Sequence, residues 1–474
     1  MLHDTLAQLD SLVFDTVVPV LLRLPKAIVG IPAVLQTTPS QYLFAMGGLV
    51  LLVVGGNMST MPVVLHPVDG SDGLLGRAKR FVTLYLTEAL HVVVLVHVLF
   101  GSLLLSASWA DPAAFFGESK AIWFALILWS ISLFTLTKLV ATLATSPTSI
   151  HNRLKNAGVP NTIALSVRSV LFALVPMPWL FFADIDVVRD VPYNPKDAPT
   201  DWRQMLDVYR PKKAKPPTSK PIFVFIHGGS LMSFDKGYLQ AGPVCSHLVT
   251  QGFVCFSVNY RLAPGFALPQ QVIDVKRAIA WIKSEGARKY GGDASRVAVG
   301  GISAGAYLAV MMATTANDAA FQPGFEQADT SVIACVDMAG IHDLPDSQRM
   351  FKVLDGGAFR HFAEKILYQT SDPAYDYNKF SPYHRVASAS SIPPILGIHG
   401  SLDSLIPIDD AVSFFTALKA HRSRKPSTGA AAAVPDVLIE LKYAHHAHVV
   451  IPSVRTVAVH EAIATYLTFV LSKL

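Results

Sequence analysis

The stretch Val297-Ala298-Val299-Gly300-Gly301-Ile302-Ser303-Ala304-Gly305 carries the strongest structural signal in this chain. An apolar run that leads into Gly-x-Ser-x-Gly, followed by a helix-forming segment to about residue 315, predicts a strand, a sharp turn and a helix. The small residues on either side of Ser303 allow the turn to lift the serine hydroxyl above the packed layers. The pattern therefore marks Ser303 as a candidate nucleophile.

A second signal lies upstream, where the apolar run 221–226 predicts a buried strand that opens into His227-Gly228-Gly229-Ser230. Attack of a serine on a carbonyl group builds negative charge on oxygen, and backbone N–H groups must converge where that charge appears. Glycine lets a loop backbone approach a ligand closely. The amides of Gly228, Gly229 and Ala304 are the predicted donors.

Two later strand ends supply the partners of the serine. Asp403 follows the strand-like run 394–400, and His446 follows the strand-like run 437–443. An aspartate just beyond a strand can hold a histidine ring in the correct tautomer, and the order Ser, Asp, His is the one expected of this strand-turn-helix arrangement.

The histidine assignment has alternatives because the turn reads His445-His446-Ala447-His448. We assign His446 because the small Ala447 follows it, and His445 and His448 remain open. Three neighbouring histidines can also bind a metal, but neither a carboxylate nor a cysteine accompanies them at ligand spacing. The predicted chemistry requires no metal and no cofactor.

From about Val188 to Leu474 the sequence resembles the α/β-hydrolase fold and, within it, esterases of the hormone-sensitive-lipase and arylacetamide-deacetylase type. The resemblance depends on a set of motifs in order: His227-Gly228-Gly229, Tyr260-Arg261-Leu262-Ala263-Pro264, Asp274 and Trp281, Tyr290-Gly291-Gly292-Asp293-Ala294-Ser295-Arg296, the Ser303 turn, Ser381-Pro382, and the Asp403 and His446 turns. It implies hydrolysis of a lipophilic ester of the acyl lipid, acylglycerol or steryl acetate type.

Strand-like and helix-like segments alternate over 185–474, which predicts an α/β domain with a mostly parallel, eight-stranded sheet covered on both faces. An aromatic-rich insertion at 343–383 lacks a strand pattern and is expected to cap the site. Phe351, Phe359, Phe362 and Tyr368 are candidates to line an acyl pocket there.

The remaining sequence, 1–184, is expected to be an all-α membrane region. Hydrophobic residues make up 51% of the chain and charged residues 15%, and the apolar excess lies in this part. A spanning helix needs about 20 predominantly apolar residues. Four segments approach or meet that requirement, at 42–58, 89–108, 122–145 and 163–183.

Charged residues in the connecting loops suggest an orientation. Arg77, Lys79 and Arg80 precede the second segment, and Arg153 and Lys155 follow the third. Positively charged loops tend to remain cytoplasmic. Four crossings would then leave the hydrolase domain on the non-cytoplasmic side, which is the endoplasmic reticulum lumen in a eukaryote.

The sequence thus predicts a membrane-anchored serine hydrolase, with a lipophilic ester and the lipid bilayer as its partners. An amide or formamide hydrolase or deacetylase is the alternative within the same chemistry, and a catalytically inactive membrane receptor or scaffold is the alternative outside it. The net charge of +5 comes from scattered residues and predicts no nucleic-acid surface. The sequence makes no prediction of oligomeric state, and three cysteines give no disulfide framework.

Overall fold

The structure is a computed structural model. It describes residues 144–160, 184–194, 203–212, 219–348, 362–370, 374–403, 405–425, 434–446, 448–451 and 453–474, together with Ala141, Leu165, Met350 and Asp372. The membrane spans predicted at 42–58 and 89–108 lie outside the described residues. So do all but a few residues of the spans predicted at 122–145 and 163–183.

One eight-stranded sheet forms the centre of the described domain. The strands are β1 Ile185–Pro192, β2 Met205–Pro211, β3 Lys220–Ile226, β4 Val254–Val258, β5 Gly292–Ile302, β6 Cys335–Met338, β7 Ile395–Gly400 and β8 Val437–Leu441. Their order in the sheet is β1-β2-β4-β3-β5-β6-β7-β8. The two pairings that involve β2 are antiparallel, and the other five are parallel. The predicted mostly parallel sheet is confirmed.

Helices cover both faces of the sheet, as expected when parallel strands are joined by crossover helices. The helices are α1 144–156, α2 Tyr238–Thr250, α3 Gln270–Trp281, α4 Ala287–Tyr290, α5 Ala304–Thr314, α6 Pro382–Ser388, α7 Ile408–Arg424 and α8 Val454–Leu471. Two separate hydrophobic clusters result, one beneath α3, α5 and α7 and the other beneath α1, α2 and α8. A π-helical turn, Ile282–Gly286, separates α3 from α4.

Helix α1 belongs to this domain although it precedes the boundary expected at residue 185. Ile150, Leu154 and Val159 are at most 1% exposed and pack in the same cluster as α2 and α8. The Arg153 side chain donates to the Leu438 carbonyl oxygen of β8 at 2.8 Å. The segment expected to be the loop after the third span is therefore a helix that packs on the domain.

Among the described residues, one helix is long and apolar enough to cross a membrane by length and composition. It is α8, Val454–Leu471, and 72% of its apolar window is buried inside the domain.

The parallel arrangement decides where the functional loops meet. The carboxyl ends of parallel strands lie at one edge of a sheet, and in open α/β sheets this edge binds ligands. The loops after β3, β5, β7 and β8 carry Gly228 and Gly229, Ser303, Asp403 and His446 respectively. We call this side of the sheet the catalytic edge.

A buried ion cluster fastens the end of β6 to α7 near this edge. The His342 ring contacts Asp337 Oδ2 through Nε2 and Asp410 Oδ2 through Nδ1, each at 2.8 Å, and all three side chains are at most 1% exposed. Burial lowers the pKa of His342, but the two carboxylates outweigh burial and raise it to about 10. The imidazole is therefore held as a cation between two anions.

This cluster predicts a pH-dependent contribution to stability. A histidine whose pKa rises from 6.5 to about 10 on folding stabilises the fold fully below pH 6.5 and loses that effect as the pH rises through 10. We expect the free energy of unfolding of the native protein to exceed that of His342→Gln by on the order of a few kcal/mol at pH 6. The difference should shrink towards pH 10 in denaturant titrations. The difference between the two proteins cancels the titrations of groups that do not contact His342, so an equal difference at both pH values would contradict this prediction.

Candidate active site

The turn at Ser303 has the sharp backbone that the sequence pattern predicts. Ser303 has φ 56° and ψ −121°, a conformation that non-glycine residues rarely adopt. A Cβ on Gly301 would lie 2.3 Å from the Gly305 oxygen, and a Cβ on Gly305 would lie 2.1 Å from the Ile226 oxygen. Both glycines are therefore required by close backbone contact. The strain at Ser303 is typical of functional turns held by their surroundings.

Ser303, His446 and Asp403 form one continuous hydrogen-bonded chain. His446 Nε2 lies 2.8 Å from Ser303 Oγ, and His446 Nδ1 lies 2.7 Å from Asp403 Oδ2. A histidine in this position can accept the serine proton while the aspartate holds its ring and stabilises the imidazolium that forms. The structure thus brings together the three residues that the sequence proposed.

The two neighbouring histidines do not join this chain. His448 is fully buried and its Nδ1 lies 2.7 Å from the His445 carbonyl oxygen. His445 is 4% exposed, and burial lowers its pKa to about 4, while burial lowers that of His448 to about 3. Both are therefore neutral core side chains, and His446 is the member of the cluster that contacts Ser303.

Asp403 is held by more than the catalytic histidine. Its Oδ1 accepts the amides of Leu405 and Ile406, each at 2.9 Å. Its Oδ2 also lies 3.4 Å from the buried His399 ring, whose Nε2 lies 2.8 Å from the Ile406 oxygen. Burial raises the pKa of Asp403, but the facing His446 and His399 rings outweigh burial and hold it well below its usual range. The carboxylate is thus kept ionised and oriented.

Sequence reasoning missed His399. Its position four residues before Asp403, at the end of the β7 run, is the signal that could have found it, because such a residue lies beneath the loop that the aspartate begins.

The predicted donors for the developing negative charge need one correction. The Gly228 amide donates to Gln240 Oε1 at 2.7 Å, so it is occupied and its assignment as a donor was wrong. Among the described residues we find no acceptor for the amides of Gly229, Ser230 and Ala304. Gly229 has φ 118° and Ser230 has φ 56°, a left-handed path that turns the following amides away from the strand direction. We therefore assign Gly229, Ser230 and Ala304 as the candidate donors.

The loop that carries these amides rests on a buried support. The His227 ring stacks on the Tyr260 ring at 4.4 Å between centroids, and the Tyr260 hydroxyl donates to the His227 carbonyl oxygen at 2.9 Å. Burial lowers the pKa of His227 to about 4, so the ring is neutral. The next residue, Arg261, makes a bidentate pair with the fully buried Asp274, at 2.8 and 2.7 Å. The motif residues upstream of the nucleophile therefore position the loop.

The described part of the 343–383 insertion packs beside this support. The Leu268 amide donates to the Leu367 carbonyl oxygen at 2.8 Å. Phe362 packs against the adjoining core, and Tyr368 is 5% exposed with its ring 4.8 Å from that of Tyr377. Phe351 and Phe359 lie outside the described residues. The insertion's role as a cap with an acyl pocket remains a prediction.

Within the described ranges, no group of three or more histidine, cysteine, aspartate or glutamate side chains is arranged to hold a metal ion. The three cysteines of the chain, Cys245, Cys255 and Cys335, are buried and free.

Comparison with known proteins agrees with this geometry. The model of the BD-FAE family matches residues 206–418. Esterase LipQ of Mycobacterium tuberculosis is 34% identical over 59% of this chain and 61% of its own length. Esterase LipC of the same organism is 37% identical over 46% of this chain and 53% of its own length. Over part of its length the chain is therefore similar to proteins named as esterases.

The chain spans only about half to three fifths of the length of these two relatives. Among solved structures, the butyrate-bound esterase Est2 of Thermogutta terrifontis aligns with 61% of this chain and 95% of its own, at 20% identity and a TM-score of 0.47.

The triad predicts how the serine reacts with a fluorophosphonate. In Asp403→Asn the His446 ring loses its orienting carboxylate, and we expect the labelling rate of Ser303 to fall by about 10⁴-fold, the effect known for this change in serine proteases. Gel-based labelling of the purified full chain measures it. Asp186→Asn, which makes the same change on the edge strand β1, should label like the native protein. Equal labelling of Asp403→Asn and the native chain would contradict the assignment.

Proposed function

We propose that this protein is a membrane-anchored carboxylic ester hydrolase that cleaves lipophilic esters. The observation that carries the proposal is the hydrogen-bonded chain from Ser303 Oγ through the His446 ring to Asp403, at 2.8 and 2.7 Å. The named esterase relatives support the ester bond as the one cleaved.

The proposed reaction is acyl transfer to water in two steps. His446 Nε2 accepts the proton of Ser303 Oγ as that oxygen attacks the ester carbonyl carbon. The amides of Gly229, Ser230 and Ala304 stabilise the oxyanion, and removal of one such donor usually costs roughly 3 to 4 kcal/mol. His446 then gives the proton to the departing alcohol. Water, activated by the same ring, releases the carboxylic acid from the serine.

The surroundings of the site support the proposed class of substrate. Apolar side chains line the catalytic edge, among them the exposed Met232, Phe234 and Leu405. An acyl lipid, an acylglycerol or a steryl acetate would present its ester beside such a surface. The predicted apolar spans before the domain would keep the enzyme where these substrates are concentrated.

Ester hydrolysis by Ser303 is tested with p-nitrophenyl esters of increasing acyl length. We expect Ser303→Ala to lower kcat/KM by about 10⁵-fold or more, since the nucleophile is lost and only binding and the oxyanion donors remain. Ser423→Ala, which removes an exposed serine hydroxyl on α7, serves as the matched control. Undiminished hydrolysis by Ser303→Ala would reject the proposal, and faster cleavage of an anilide than of an ester would favour amide hydrolysis.

The packing of α1 helps to decide on which side of the membrane the catalytic domain lies. If the chain crosses the membrane four times, the segment 163–183 crosses it between α1 and the catalytic domain. The two would then lie on opposite sides of the membrane. Ile150 and Leu154 of α1 instead share a hydrophobic core with α2 and α8, and parts of one core lie on one side of a membrane. We therefore propose that the catalytic domain lies on the side of Arg153 and Lys155. By the positive-inside tendency this is the cytoplasmic side, in place of the side expected from four crossings.

Labelling of introduced cysteines tests this orientation, because the native cysteines are buried. In intact cells, a membrane-impermeant maleimide should modify Glu118→Cys, in the predicted loop between the second and third spans. It should modify Asn156→Cys on α1 and Ser423→Cys on α7 only after permeabilisation. Modification of Ser423→Cys in intact cells would contradict the proposed side. Different behaviour of the Asn156→Cys and Ser423→Cys proteins would contradict the shared core.

A further inference from the structure

Exposed apolar side chains are concentrated at the catalytic edge. Six large apolar side chains are exposed among the described residues, and four of them lie on the loops that carry the catalytic machinery. Isolated exposed apolar residues are common on protein surfaces, whereas a group of them on one side marks an interaction surface. We call these four the apolar rim: Met232 at 39%, Phe234 at 48%, Leu405 at 37% and Tyr443 at 39% exposure.

The rim is fixed to the catalytic loops by short hydrogen bonds. The Met232 amide donates to the Gly229 carbonyl oxygen at 2.9 Å. The Leu405 amide donates to Asp403 Oδ1, also at 2.9 Å, and the Tyr443 amide donates to Ser401 Oγ at 2.8 Å. The hydrogen bonds therefore hold the rim at a fixed position relative to the triad, and a surface that contacts the rim lies at a fixed distance from Ser303.

The direction of α1 shows that the chain enters the domain at this same edge. Near the start of α1, Ser146 Oγ accepts from Arg455 Nε at 3.2 Å, and Arg455 Nη2 donates to the carbonyl oxygen of Lys442, just after β8. Seven residues later, Arg153 contacts Leu438, at the beginning of β8. Helix α1 thus runs antiparallel to β8, away from the catalytic edge.

We propose that the catalytic edge lies against the lipid bilayer, with the apolar rim in contact with it. This inference rests on the membrane anchoring proposed above. By its sequence, 122–145 is apolar and long enough to span a membrane, and it leads into α1, whose start lies at the edge that carries the rim. Substrate then reaches Ser303 from the membrane without crossing open water.

The chemistry of the rim fits a bilayer surface. Met232, Phe234 and Leu405 offer flexible or aromatic apolar groups, and Tyr443 has an apolar ring with a polar tip, the side chain favoured at headgroup depth. The exposed Lys442 beside it suits the anionic headgroups of a cytoplasmic leaflet.

Leu474 provides a matched control at the other end of the domain. It is 61% exposed and follows α8, which begins beside the His446 loop. The Tyr466 hydroxyl on α8 donates to the Pro435 carbonyl oxygen, just before β8, so the end of α8 lies opposite the catalytic edge.

Depth of insertion is measured with an environment-sensitive fluorophore on introduced cysteines in the full chain, reconstituted into phospholipid bilayers. We expect lipids with a quencher on the acyl chain to reduce the emission from Met232→Cys and Leu405→Cys and to leave that from Leu474→Cys unchanged. Lack of quenching at both rim positions, or equal quenching at all three positions, would overturn the proposal. Protection of the rim from aqueous quenchers without lipid quenching would indicate a protein partner and would overturn it too.

A kinetic comparison separates this inference from the proposed function. We expect the double variant Met232→Gln, Leu405→Asn to hydrolyse an ester dissolved in the bilayer roughly tenfold more slowly, because two apolar side chains leave the interface. Its rate on soluble p-nitrophenyl acetate serves as the reference that corrects for any direct effect on the site, so the ratio of the bilayer rate to the soluble rate should fall about tenfold. Both rates should be unchanged in Leu474→Asn. Equal rates of the double variant and the native protein on the bilayer ester would refute the rim contact. Failure of the native protein to cleave either ester would refute the esterase function, while the quenching experiment would still decide the contact.

Discussion

The close approach of two backbones at Gly305 is the constraint on which the rest of the site depends. A Cβ at this position would lie 2.1 Å from the Ile226 oxygen and 2.5 Å from the His227 oxygen. The turn that carries Ser303 therefore packs directly on the end of the strand that carries the oxyanion loop. The relative position of the nucleophile and the amides is thus set by backbone contact, so it needs no reorganisation when charge develops.

The triad could be predicted because its positions follow from topology. Each member lies in the loop after a strand with a clear apolar run, and parallel strands bring these loops to one edge. The sequence alone leaves the choice among His445, His446 and His448 open, because neighbouring residues of a turn point in different directions and their spacing does not say which one faces Ser303. The structure separates them by burial, since His445 and His448 are packed into the core.

Other features depend on contacts between residues far apart in sequence. The Gly228 amide is unavailable because Gln240, on the following helix, accepts from it, and a glycine motif alone does not reveal the direction of each amide. The buried cation at His342 needs Asp410, contributed by α7, as well as the nearby Asp337. The sequence predicts a loop where α1 lies, because Ile150 and Leu154 are spaced among polar residues. Their apolar partners lie hundreds of residues later.

Arg455 connects the entry of the chain into the domain with the loop of the catalytic histidine. Its side chain is fully buried, and a buried guanidinium must have its donors satisfied because leaving them unpaired is costly. It donates to Ser146 on α1 and to the carbonyl oxygen of Lys442, four residues before His446. A displacement of α1 would therefore strain the same hydrogen bonds that hold the start of the histidine loop. The position of α1 and the start of the His446 loop are in this way mechanically coupled through one side chain.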